Sequence, residues 1–102
     1  LIIAVDFDGT LCAECWPDIG RPNEALIAWL KEQKRAGAEL ILWTLREDGD
    51  LDEAVFWCKE RGLVFDAVND NLERMKQQYG NNPRKVHADV YIDDRNTLVE
   101  KF

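Results

Sequence analysis

Two carboxylates, Asp6 and Asp8, directly follow the apolar run Leu1 to Val5 and directly precede Gly9-Thr10. Side chains alternate along a strand, so Asp6 and Asp8 share a side while Phe7 points away. Carboxylates this close repel unless a cation or a proton lies between them. A second acidic pair, Asp93-Asp94, closes the apolar run Val90 to Ile92, and Thr44 stands at the end of another, Glu39 to Trp43. Phosphoryl transfer asks for a nucleophile, an acid/base, a cation and donors for the equatorial oxygens. A carboxylate can be the nucleophile and form an aspartyl-phosphate. Hard ions such as Mg2+ take one or two carboxylates and keep several waters.

These residues need elements to bring them together. Leu1 to Val5 reads as a buried strand. A loop from Leu11 to Pro22 follows, then Asn23 as an N-cap before Ala25, Leu26, Trp29 and Leu30 at helical spacing. Gly37 stops that helix. Glu39 to Trp43 is a second buried strand. Asp50 with Glu53 has the spacing of a capping box for a helix carrying Ala54, Val55, Trp57 and Cys58 and stopped by Gly62. Leu63 to Val68 reads as a third strand. Asp70 or Asn71 caps a third helix with Leu72, Met75 and Tyr79, stopped by Gly80. Ala88 to Ile92 is a fourth strand, and Asn96 to Phe102 a last helical turn. Strands and helices alternate, which calls for an α/β fold with a parallel sheet covered on both faces. Ligand sites in such sheets lie at the carboxyl ends of the strands, where Asp6, Asp8, Thr44, Asp93 and Asp94 all fall.

The 102 residues suffice for one domain, 1–102, with one core. The net charge of −7 lacks the basic footprint of a nucleic-acid binder and favours a small phosphorylated substrate, with an oligonucleotide end still open. No apolar run approaches the ~18 residues needed to span a bilayer, and no signal-peptide pattern is present, so no membrane partner and a cytoplasmic location are expected. Three cysteines, Cys12, Cys15 and Cys58, leave an odd one and argue against a disulfide framework. Cys12 and Cys15 are read as incidental loop thiols. Trp29, Trp43 and Trp57 sit at core spacing and are read as packing, and the lone His87 as structural or exposed. Oligomeric state is left open.

The run Asp6-Phe7-Asp8-Gly9-Thr10 after an apolar strand, Thr44 at the end of strand two, Lys85 before strand four and Asp93-Asp94 after it resemble, in order, the four motifs of the haloacid dehalogenase (HAD) superfamily. The resemblance implies a three-layer Rossmann-like core with strand order 4-1-2-3 and a Mg-dependent phosphatase. By the same resemblance Asp6 attacks phosphorus, and Asp8 protonates the leaving oxygen and then activates water. Thr44 and the Leu45 N–H hold a phosphoryl oxygen, and Lys85 balances negative charge, with Arg84 and Lys76 as rivals. Asp6, Asp8, Asp93 and Asp94 hold Mg2+, Asp93 directly and Asp94 through water or as a partner. Gly9 supplies a turn that a Cβ would resist. Arg46 either adds donors to the phosphate or pairs with Glu47 or Asp48.

HAD caps are inserted after strand one or strand three. The gaps Leu11 to Pro22 and Asn69 to Lys85 are too short to hold one, so the resemblance implies a capless, open site. Trp16 would then either stack on a flat group of the substrate or cover a loop–helix junction. Two other classes compete. A receiver domain also combines Asp, Thr and Lys on a parallel sheet, but carries its acidic pair after strand one, whereas here it follows strand four. A catalytically silent binding domain on the same fold has no need of Asp8.

Overall fold

A computed structural model describes residues 1–95 of the chain. The elements run β1 (Ile2–Val5), α1 (Glu24–Arg35), β2 (Glu39–Leu42), α2 (Asp48–Glu60), β3 (Ala67–Val68), α3 (Glu73–Tyr79) and β4 (Val90–Ile92). The four strands form one parallel sheet in the order β3-β2-β1-β4, which read from the opposite edge is 4-1-2-3. The helical turn expected over Asn96 to Phe102 lies outside the described residues. No helix among the described residues is long and apolar enough to cross a membrane.

β1 lies between β2 and β4 and is buried on both sides, which is why it reads as an unbroken apolar run. Ile3 and Val5, with Leu40, Leu42 and Ile92, face α1 through Leu26, Ile27 and Leu30 and α2 through Ala54 and Cys58. Ile2, Ala4 and Ile41 face the opposite way, against Leu72, Met75 and Val86. Helices therefore cover both faces of the sheet. Trp57 and Trp29 pack against the first of these cores, with the Trp57 ring edge-on to Phe7 at 5.4 Å.

Helix α1 begins as its sequence directs: Asn23 accepts the Leu26 N–H at 3.2 Å, and Gly37 sits just past its end at φ 101°. Helix α2 does not. Its N-cap is Glu47, with no side-chain cap bond, so the Asp50–Glu53 capping box does not form and Asp50 lies inside the first turn. Acidic Asp48 and Asp50 in that turn face the positive end of the helix dipole instead. Asp70 and Asn71 do not cap α3 either; the N-cap is Leu72. Asn71 is buried and holds the return loop, donating to Asn82 and the Pro83 carbonyl and accepting the His87 N–H. Tyr79, expected inward, is exposed. The third strand shrinks from the expected Leu63 to Val68 to the pair Ala67–Val68. Leu63 is still tied to the end of α2 through the Cys58 carbonyl, and Lys34 caps the Val64 carbonyl, so these residues are engaged elsewhere.

Register sets the level of the strand ends. Val5 lies opposite Leu42 on one side and Ile92 on the other. The ladder runs one step further, with Asp6 N–H donating to the Ile92 carbonyl and Trp43 N–H to the Val5 carbonyl, both at 2.9 Å. Asp6, Trp43 and Asp93 therefore emerge side by side at one edge.

Candidate functional site

A cavity of about 590 Å³ opens at this edge. Its lining includes the carboxylates of Asp6, Asp8, Asp93 and Asp94, and Thr44 beside them. Asp6, Asp93 and Asp94 can each offer an oxygen within 4.8 Å of the others. Burial pushes the Asp6 carboxyl up to about 6, and the negative charges of Asp93, Asp94 and Asp8 push in the same direction against the backbone bond from Phe7. A hydrogen bond with Asp93 likewise raises Asp94, followed by burial and the charge of its neighbour. Unscreened carboxylates here favour a proton, and a cation would serve the same need.

The turn after β1 is shaped to admit this cluster. Gly9 has φ +81°, and a Cβ on it would lie 2.7 Å from an Asp94 carboxylate oxygen. Thr10 is buried, its hydroxyl reaches Asp6 at 3.5 Å, and its carbonyl accepts from Asn23 at 3.2 Å. The α1 cap thus also braces the acidic turn. Gly9→Ala combines a left-handed backbone with a clash against Asp94, and is expected to lower unfolding free energy by about 1–2 kcal/mol in a urea titration.

Asp8 lies in a different setting. Its two oxygens accept from Arg46 Nε and Nη2, each at 2.8 Å. The Arg46 side chain is 1% exposed and its guanidinium lies 5.0 Å from the Phe7 ring and 4.9 Å from the Trp16 ring. Nη2 also donates to the Asp18 carbonyl at 3.1 Å. Arg46 therefore joins the turn after β1 to the loop of residues 11–22. Pairing with Asp8 holds Arg46 firmly protonated. Of the alternatives expected for Arg46, the pairing with Glu47 or Asp48 is replaced by one with Asp8, which occupies the Nε–Nη2 fork.

Thr44 is held at the mouth by neighbours on both sides. Its N–H donates to Asn69 Oδ1 at 2.7 Å, and its hydroxyl oxygen accepts the Arg46 N–H at 3.2 Å, leaving the hydroxyl hydrogen to donate. Asn69, at φ 52° just past β3, was not anticipated as part of this edge; an Asn after a strand, tolerant of left-handed backbone, is the signal that marks it.

Lys85 does not line the cavity. It is exposed, with its ammonium 6.0 Å from the Tyr91 ring. Neighbouring Val86 is buried against Ile2 and Ala4, which directs Lys85 the other way. Lys76 is engaged with Asp70 at 2.6 Å, and Arg84 is exposed. Arg95, beside the acidic pair, lines the cavity instead, and its N–H donates to Asp93 at 3.0 Å.

Around the mouth stand Trp16, 54% exposed, Trp43, 37% exposed, and Leu45, 99% exposed. Trp43, expected in the core, is at the rim because β2 ends at Leu42 and carries it past the packed layer; its ring rests 5.5 Å from Tyr91. Glu14, unremarked in the sequence, also lines the cavity and accepts the Trp16 N–H at 3.2 Å. The loop that carries both folds back on itself, Ala13 N–H donating to the Arg21 carbonyl at 2.8 Å. Cys12, Cys15 and Cys58 are free thiols, and burial pushes Cys58 up to about 12.

No protein-family model and no curated protein matches the chain. Among solved structures, a conserved protein coded by a locus of Bacteroides thetaiotaomicron is 43% identical, with a TM-score of 0.82, over 93% of this chain and 76% of that one. The chain belongs to that protein's family. Kinship at this level fixes the α/β fold and leaves the chemistry to be argued from the site.

Proposed function

We propose that the chain is a Mg-dependent phosphomonoester hydrolase that works through an aspartyl-phosphate on Asp6, on a capless haloacid dehalogenase core. The observation that carries this reading is the meeting of Asp6, Asp93 and Asp94 within 4.8 Å at the end of the central strand, with Asp8 and Thr44 in the same cavity. The donor set suits Mg2+, a hard ion that prefers carboxylate oxygens and retains water. Asp6, Asp93 and Asp94 would hold it, and when bound it would offset the charge of the phosphoryl oxygens and the carboxylates. The segments 6–23 and 69–89 contain at most one helix and support an uncapped site.

In this reading an Asp6 oxygen attacks phosphorus and the bond to the ester oxygen breaks. Asp8 gives its proton to that leaving oxygen. Water then attacks the phosphorus of the acyl-phosphate, Asp8 takes the water's proton, and Asp6 and inorganic phosphate are released. Arg46 is a positioning residue here. Its fork occupies one lone-pair direction on each Asp8 oxygen, and a carboxylate has about four such sites, so one on each oxygen stays open and either can carry the transferred proton. The Thr44 hydroxyl and the Leu45 N–H would donate to phosphoryl oxygens. The mechanism does not draw on Lys85; Arg95 is the other guanidinium in the lining.

The test is phosphate release from p-nitrophenyl phosphate. Release is expected with millimolar Mg2+ and not with excess chelator. Protein that remains folded and releases no phosphate with Mg2+ would point instead to a silent binding domain on this fold.

A further inference from the structure

The cavity is far larger than a phosphate group needs, and its mouth differs in character from its floor. The polar groups that could handle phosphate cluster at the strand ends. Above them stand two tryptophans and Leu45, whose side chain is almost wholly in solvent. Exposed apolar groups gathered around a polar site mark a place where something apolar binds. Both indoles are already anchored, Trp43 against the Tyr91 ring and Trp16 against the Arg46 guanidinium, so little freedom remains to be lost when a ligand packs on them.

Charge narrows the ligand further. The lining carries five carboxylates and two guanidiniums, and one of those, Arg46, is committed to Asp8. Glu14 sits beside Trp16 at the rim. A second phosphate or a nucleic-acid backbone would meet carboxylates where it needs Lys or Arg.

We infer that the rim of Trp16, Trp43 and Leu45 binds the leaving group of a phosphate monoester that carries a flat aromatic ring and no second phosphate. This rests on the phosphatase reading, and names the substrate class of that site.

The test compares esters whose leaving oxygens are equally basic, so that intrinsic reactivity does not enter: 2-(1-naphthyl)ethyl phosphate and 2-cyclohexylethyl phosphate, with a 3′-phosphorylated oligonucleotide as the polyanion. The naphthyl ester is expected to have a kcat/KM about tenfold or more above the cyclohexyl ester, as stacking on an aromatic side chain implies, and the oligonucleotide to fall below both. Trp16→Ala and Trp43→Ala should each shrink that ratio through KM. Equal kcat/KM for the two esters, or a ratio that neither substitution changes, overturns the substrate class while the phosphatase reading stands. Calorimetric binding of 2-(1-naphthyl)ethylphosphonate against its cyclohexyl counterpart separates the two ideas when no ester is hydrolysed. Preference for the naphthyl compound then upholds the ligand class without the hydrolase, and equal binding overturns it.

Discussion

An Asp6→Asn protein should fold, melt about 5 °C above the parent at pH 7.5 in chelator, and release phosphate at least about 10³-fold more slowly with Mg2+. The two effects have opposite signs because one carboxylate is asked to do two incompatible things. As nucleophile it must be ionised, yet burial and the neighbouring carboxylates raise it from the ordinary 3.8 to about 6. An acid raised on folding is disfavoured in its charged form. The fold bears no penalty below about pH 4, and loses stability as pH climbs from there through about 6. Asparagine carries no charge to bury, so its advantage should be small near pH 4 and full at pH 7.5. Because Asp6 is partly open to solvent, the gain is set at about 1–2 kcal/mol rather than the full value of the shift. Melting curves at the two pH values read it, and an advantage that does not change with pH would mean that Asp6 is not raised. Mg2+ should narrow the gap by stabilising the parent more than the variant. Surviving phosphate release in Asp6→Asn would remove Asp6 as the nucleophile.

The parts of this fold that were legible in the sequence are those decided by a few adjacent residues. Ile2 to Val5 had to be central because no polar side interrupts it, although Leu1 before it is exposed; Asn23 starts a helix with its side chain, and Gly37, Gly62 and Gly80 end helices by backbone geometry. The meeting of Asp6 with Asp93 and Asp94 was legible too, since parallel strands that alternate with helices align their carboxyl ends. What failed depended on competition between distant groups. Asp50 and Glu53 have capping-box spacing, but the helix begins earlier, at Asp48, and places them inside its first turns. Lys85 has the right position along the chain, yet whether it faces the site is decided by Val86 turning into the second core. Trp43 looked like core because it continues an apolar run, and only the end of β2 at Leu42 carries it out to the rim. In sequence Arg46 stands beside Glu47 and Asp48, while its partner, Asp8, is 38 residues away.

Arg46→Met should lose about 3–5 kcal/mol of unfolding free energy, a large share of the 5–15 kcal/mol typical of a domain. The guanidinium is 1% exposed and the Asp8 side chain 17% exposed, so removing the cation leaves a largely buried carboxylate without its partner. Methionine can fill much of the space between Phe7 and Trp16, which separates lost charge pairing from lost packing. The bond to the Asp18 carbonyl also disappears, and with it one tie holding the loop of residues 11–22. Two further variants identify the cause. Arg46→Lys should recover only part of the loss, because one ammonium cannot reproduce a fork bonded to both Asp8 oxygens. Adding Asp8→Asn to Arg46→Met should restore stability relative to Arg46→Met alone, since the stranded charge is then gone. Urea denaturation of these proteins together with Asp8→Asn alone completes the cycle and gives the coupling directly. A loss below about 1 kcal/mol for Arg46→Met, or no recovery in the double variant, would show that the pair does not hold the site together. If Arg46 acts on catalysis by fixing Asp8, the part of Arg46→Met that stays folded should have a reduced kcat with little change in KM, because the phosphate is gripped by other groups.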